Sequence, residues 1–492
     1  MAVNTPNGLT ERQSLKNVVL QGDTFGSILA SVQVDSIGKE VEDSGYGYMY
    51  QDKLPVSLLG LVDDMIGVTE AGYKAHQLNA LLNVKTAEKR LQFGVSKCKS
   101  MLVSKNTENV FNNPLTVDKW NVKHVENIET GDSDLIETYE GRVEIEKTDN
   151  QKYLGFVLSC KGDNMVNINA MKKKSIWIIR KIFTKLDSLH LKKYYFECGM
   201  IFLNVMLRRS IFYACETYYN LKETELRQLE RIEEGFLRKL FKTSRGCPIS
   251  QLYLESGHTP ARYHVKKTRL LFLQCILKEE PSSLIYRFLY QQFENPTRGD
   301  WASSCLDDLN DLEIDMSFED IKTMSKSKFC NIIKKAIQEA ALQYLIRKQG
   351  SKGQEIMYKE LKMADYLLPS YCPITIDEQR SIFGIRNRMV NISSNFSKGM
   401  KKEICPCGLE ENMKHIYICK LWSKGNENHK PKYEIIFSDN VSEQIKMNKY
   451  FIMNYQEREE YEIKNKEKET KPHAILTNSD PLYSVLENSN GQ

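Results

Sequence analysis

The sequence predicts an α+β chain, with a short mixed segment of helices and hairpins in front of a long, mainly helical region. Three observations predict it. Leu59-Gly60-Leu61-Val62-Asp63-Asp64-Met65-Ile66-Gly67-Val68 sets two adjacent carboxylates between two apolar runs, the pattern of a tight hairpin with acids in its turn. Apolar residues recur at helical period on both sides of that hairpin and again through most of residues 164 to 388. Near the end, Cys405-Pro406-Cys407 is followed by His415 and Cys419, a compact set of metal-ligand residue types.

The elements follow in order. Gln21-Gly22-Asp23-Thr24-Phe25-Gly26-Ser27 is a glycine-containing loop opening an amphipathic helix, with Phe25, Ile28, Leu29, Val32 and Ile37 on one face. In the hairpin, turn acids stay hydrated and present hard oxygen ligands suited to Mg²⁺. Residues 71 to 91 place Ala75, Leu78, Leu82 and Leu91 near helical period, stop before Gly94, and lead into a strand over Val95–Val103. Helix, hairpin, helix, strand is the order of a split βαββαβ unit lacking its first strand.

Residues 1–115 therefore form one domain, and 116–163 are expected to be a linker plus a hairpin at Tyr153-Leu154-Gly155. Residues 1 to 150 hold 15 Lys and Arg against 22 Asp and Glu, a net of −7; residues 151 to 246 hold 19 against 9, a net of +10. In the helical segment 164–246, Lys172, Lys173, Lys174, Arg180 and Lys181 interleave with Trp177 and Phe183. They suit either phosphate tracking or the hydrated faces of amphipathic helices with aromatic core residues between. Thr224 to Lys242 is a further helix, with acids early and Arg238, Lys239 and Lys242 late, as the helix dipole favours. Residues 247–400 read as helices broken by Pro281, Pro296, Pro369 and Pro373, with His258 and His264 as surface or core residues.

In 401–422, two thiols one residue apart, then His415 and Cys419 at i and i+4, can close a tetrahedral Cys₃His site for Zn²⁺, with Gly408 letting the chain turn around the metal. Residues 423–492 are too polar and charge-dense for a core and read as a disordered tail.

These residues carry a family resemblance. Gln21-Gly22-Asp23 followed by Ser27 resembles motif B of reverse transcriptases, Asp63-Asp64 resembles motif C, and Gly94 with Lys97 and Lys99 resembles motif D. Tyr153-Leu154-Gly155 followed by Gly162-Asp163 resembles the hairpin that opens the primer grip of non-LTR retrotransposon enzymes, and the Cys/His cluster resembles their zinc knuckle. The resemblance implies a partial polymerase palm, a basic helical thumb, and an RNA-directed DNA polymerase ancestry. It also implies Mg²⁺ at Asp63 and Asp64, nucleotide or template contacts from Gln21, Gly22, Asp23 and Lys97, and RNA and DNA as template–primer partners, with dNTPs as substrate if the chain is active. The third catalytic aspartate of the family, on its motif A strand, and the fingers would precede Met1. A chain without them is expected to show little polymerase activity alone, since two-metal transfer needs carboxylates from two strands.

Composition narrows the class. Met1–Pro6 has neither the basic start nor the apolar core of a signal peptide, and the richest apolar run, Cys198–Leu207, ends at Arg208-Arg209 and is too short to span a bilayer. Scattered cysteines such as Cys98, Cys160, Cys198, Cys215 and Cys275 suit free thiols. The expected setting is intracellular, nuclear or cytoplasmic, with no membrane partner. Alongside the polymerase remnant stand two alternatives: a non-catalytic nucleic-acid-binding protein, and a zinc-stapled interaction protein.

Overall fold

The computed structural model describes residues 4–5, 8–9, 26–61, 64–70, 72–89, 91–103, 114–126, 133–191, 194–243, 247–297 and 299–349, with 380, 383, 405, 407–409, 415 and 460. Two compact units are formed, one of Met1–Thr184, Phe202–Glu233 and Thr259–Ala341, the other of Lys185–Ile201, Glu234–His258 and Leu342–Gln492.

The first unit opens with β1 (Asn4–Thr5) paired to β2 (Gly8–Leu9) and then helix α1 (Gly26–Asp43). Two hairpins follow, β3 (Tyr48–Tyr50) with β4 (Leu54–Val56) and β5 (Leu58–Leu61) with β6 (Asp64–Gly67). They are tied together by Val68, whose amide donates to the Ser57 carbonyl at 2.8 Å and whose carbonyl accepts from the Tyr48 amide at 3.1 Å. Helix α2 (Gly72–Glu88) comes next, and α1 and α2 pack on the β5–β6 hairpin and on each other. Their shared core is Ile37, Val41 and Leu78, flanked by Tyr46, Leu58, Leu81, Leu82 and Leu91. Val32, expected on the buried face of α1, is instead 64% exposed. The face that packs runs through Ile37 and Val41, four residues apart and one above the other.

The expected strand over 95–103 is mostly absent. Val95–Lys97 form a 3₁₀ turn closed on the Gly94 carbonyl, and only β7 (Lys99–Ser100) pairs, in parallel, with β10 (Glu146–Lys147). Alternate residues of this stretch mix Val95, Lys97 and Lys99, so neither face is apolar enough to hold a longer strand. Among the described residues every sheet has two strands, and no continuous βαββαβ sheet forms.

The stretch expected to begin as a linker folds as a long hairpin, β8 (Thr116–Glu126) with β9 (Ser133–Glu144), bulged at Lys119/Trp120. Asn79 and Asn83 of α2 both donate to the Thr116 carbonyl, which anchors its base. The hairpin at Tyr153 is present as β11 (Asn150–Tyr153) and β12 (Phe156–Ser159).

Beyond it the described chain is helical: α3 (Asn164–Ser188), α4 (Tyr195–Phe202), a π-helical turn over Leu203–Arg208, α5 (Arg209–Ile211) and α6 (Glu223–Phe241). Then come α7 (Ile249–Ser256), α8 (Ala261–Leu277), α9 (Leu284–Glu294), α10 (Trp301–Asp311), α11 (Phe318–Thr323) and α12 (Lys326–Gln349). In α3, Ile168, Met171, Ser175, Ile178, Ile182 and Leu186 are buried, a stripe at three- and four-residue spacing. The helical backbone continues past the end of the apolar run at Arg208-Arg209, where the buried Arg208 guanidinium is neutralised by Glu233 at 2.6 Å and also donates to the Thr259 carbonyl at 2.6 Å. Further ion pairs fasten α8 to its neighbours: Arg262 to Glu230 and Glu223, and Arg269 to Asp308 at 2.7 Å. Helices α9, α10 and α11 all pack on α8.

In the second unit, Phe241 lies between Phe196 at 4.9 Å and Phe383 at 4.2 Å. Among the described residues no helix is long and apolar enough to cross a membrane, and the described cysteines form no disulfide. The tail from 423, Glu460 apart, lies outside the described residues, as do Pro369, Pro373 and the rest of 351–379.

Candidate functional site

The β5–β6 register pairs Leu58 with Gly67 and Leu61 with Asp64, leaving Val62 and Asp63 as the two residues between the strands. Asp64 of the expected twin-acid turn thus opens the second strand of this hairpin. Asp64 opens β6, is exposed, and has no ion pair among the described residues; Asp63 lies outside them. The second hairpin comes close. Burial pushes the Tyr153 phenol up, and the Asp64 carboxylate, near enough to act through its charge, pushes it further. The Asp64 and Tyr153 segments, far apart in sequence, thus lie within electrostatic reach of each other. Leu154 and Gly155 form the turn between β11 and β12 with φ of 45° and 85°, the pair of positive values that a I′ turn requires. A Cβ on Gly155 would also meet the Tyr213 ring at 3.2 Å.

Lys97 is exposed at the end of the 3₁₀ turn, whereas Gln21, Gly22 and Asp23 lie outside the described residues. Among those that are described, no group of three ligating side chains surrounds Asp64. One exposed carboxylate does not by itself displace enough water to hold Mg²⁺, so the described residues do not make a complete site for that ion.

On α3, Lys172, Lys173, Lys174, Arg180 and Lys181 are all exposed, and none has a carboxylate partner among the described residues. Lys172 touches only the Gln228 amide oxygen, at 3.5 Å. Trp177, which the second of the two readings places in the core, is 63% exposed, with the Lys181 ammonium 5.0 Å from its ring centroid. Its sequence position carried the signal. Lys173, Lys174, Arg180 and Lys181 stand three or four residues away, so Trp177 lies at the centre of the basic face, away from the buried stripe.

The metal cluster is partly assembled. The ligand atoms of Cys405, Cys407 and His415 lie within 4.8 Å of one another, and Cys407 Sγ is 3.3 Å from His415 Nε2. Ligand bonds of about 2.3 and 2.0 Å at the tetrahedral angle give an S···N edge of about 3.5 Å, so this spacing fits two donors of one Zn²⁺. The Gly408 amide donates to the Cys405 carbonyl at 2.8 Å and the Cys405 amide to the Leu409 carbonyl at 2.9 Å, closing a tight loop in which Gly408 takes φ of 87°. Cys419 lies outside the described residues.

No protein-family model matches the chain, and no curated protein shows significant similarity to it.

Proposed function

We propose that this chain is a nucleic-acid-binding protein descended from a non-LTR retroelement reverse transcriptase, taking RNA and DNA duplexes along helix α3. The observation that carries the reading is the α3 face, where five exposed cations without carboxylate partners among the described residues surround an exposed tryptophan. Cations left uncompensated gain by releasing counterions from a phosphate backbone, without reading sequence. An exposed ring among them offers a surface on which an unpaired base can stack. The ancestry is supported by the acid-tipped β5–β6 hairpin backed by two helices, with Tyr153 beside Asp64.

A second reading, RNA-directed DNA polymerase, is favoured by that same proximity of Tyr153 to Asp64. When bound at Asp63 and Asp64, Mg²⁺ would supply charge neutralisation at a transferring phosphoryl group. The chain's own contribution would be to hold those carboxylates at the hairpin tip and the primer end against the β11–β12 turn.

Anisotropy of a labelled RNA–DNA hybrid at several salt concentrations tests the binding. The expected result is an affinity that falls steeply with salt, with a slope reduced by about three in Lys172→Gln/Lys173→Gln/Lys174→Gln. A slope unchanged by the triple substitution removes α3 from the interface. Primer extension on the same hybrid with Mg²⁺ or Mn²⁺ decides between the readings: incorporation lost in Asp64→Asn establishes catalysis, and no incorporation in the parent protein leaves binding alone.

A further inference from the structure

A cleft of about 510 Å³ in the first unit is lined by Asn204, Arg208, Arg209, Phe212, His264 and Lys267, with no acid among the described lining residues. Its one side is the π-helical turn Leu203–Arg208 with the start of α5, and its other side is the first half of α8. A π turn is less favourable than the α-helical ladder it interrupts and recurs at functional positions. Here it presents Asn204, Arg208 and Arg209 together on the cleft.

The charges around it are unequally satisfied. Along α8, Arg262, Lys266 and Arg269 each meet carboxylates, of Glu230 and Glu223, of Asp308 and Asp311, and of Asp308 respectively. Arg208 is buried and held by Glu233 and the Thr259 carbonyl, with its guanidinium 5.9 Å from the Phe212 ring centroid, so it is a fixed wall. Lys267 and Arg209 have no ion pair among the described residues, and both face the cleft. The Phe212 and His264 rings also line it, with centroids 4.7 Å apart. Two uncompensated cations side by side raise the local positive potential and favour a charge-assisted hydrogen bond to an anion.

We propose that this cleft is a phosphate-binding site in which Arg209 and Lys267 bind the oxygens of one phosphate group, Asn204 lies alongside, and Arg208 fixes the wall. The group is either a free phosphate or diphosphate, or a phosphodiester of a nucleic-acid strand, and the site is separate from the α3 face.

The test compares the parent chain with Arg209→Gln/Lys267→Gln, and with Lys267→Gln alone as the milder change. Each is titrated with pyrophosphate by calorimetry and with the labelled RNA–DNA hybrid at graded salt. Pyrophosphate binding by the parent that weakens at least about tenfold in the double variant supports the site and assigns it to free phosphates. A hybrid-binding slope lowered by about two, with no pyrophosphate binding, supports it as a backbone contact. Hybrid binding and pyrophosphate titrations that are the same in all three proteins overturn it. The α3 triple variant, run in parallel, shows independently whether the nucleic-acid reading holds, so failure of one proposal is not mistaken for failure of the other.

Discussion

Arg208 and Glu233 show how strongly single side chains are committed to this fold. Glu233 is fully buried, and its carboxylate meets Arg208 Nε at 2.6 Å. Taking such a pair out of water is expensive, and the mutual attraction roughly offsets that expense; removing one partner leaves the other charge buried without its counterion. Glu233→Ala should therefore destabilise the protein by about 3–5 kcal/mol in urea unfolding, whereas Arg208→Met/Glu233→Leu should cost much less than the single change. A single variant within about 0.5 kcal/mol of the parent would mean that the guanidinium finds water instead. The same guanidinium forms a wall of the cationic cleft, so the pair links the stability of this region to the geometry of that site.

Helix starts carry the next level of control, and α10 is the best-defined case. Asp300 accepts from the Ser303 amide at 2.7 Å with one oxygen, and from the Thr297 amide at 2.8 Å with the other. Burial alone would raise its acid, but the hydrogen bonds from Ser303 and Thr297 outweigh that and hold it below the ordinary carboxylate value. A lowered folded-state value means that the stabilisation is fully present above the ordinary value of 3.8 and is lost as pH falls through the folded one. Asp300→Ala should cost about 1 kcal/mol near neutral pH, with parent and variant converging in acid; a pH-independent difference would assign the loss to packing instead. Elements like the β5–β6 hairpin and the α3 stripe were legible in the sequence because burial on one face enforces a two-residue or a three- and four-residue repeat. The β8–β9 ribbon was not, because its described part buries little beyond Val117 and is anchored by Asn79 and Asn83, so no apolar alternation had to be written into it. The ion pairs of α8 were equally hidden, since their partners are distant in sequence and meet only when the helices pack. Cys405, Cys407 and His415, which the fold brings together, could be read because their spacing is local, whereas the Arg209–Lys267 cleft draws on two helices whose approach no spacing encodes.

Across the whole molecule a net charge of +5 conceals two opposed sequence regions, −7 over residues 1 to 150 and +10 over residues 151 to 246. The Cys/His cluster bears on the molecule differently, because its three donors could hold a metal ion and so couple folding to metal. Cys405 and His415 are buried, and with Cys407 they bring three donor atoms within 4.8 Å of one another. We infer that Cys419 completes the set, four residues after His415. Ligands gathered only in the folded state make binding energy into folding energy, so a metal bound there would stabilise the segment that carries it in proportion to its affinity and concentration. The purified chain should hold one equivalent of zinc by elemental analysis, and Cys407→Ser should lose it. A chelator in excess should also increase proteolysis around residues 401–422 while leaving the ion-paired helices α8 and α10 protected. Full occupancy in Cys419→Ser would move the fourth ligand elsewhere, and a parent protein that carries no zinc and resists proteolysis equally with and without chelator would mean that the three donors meet for packing rather than for metal.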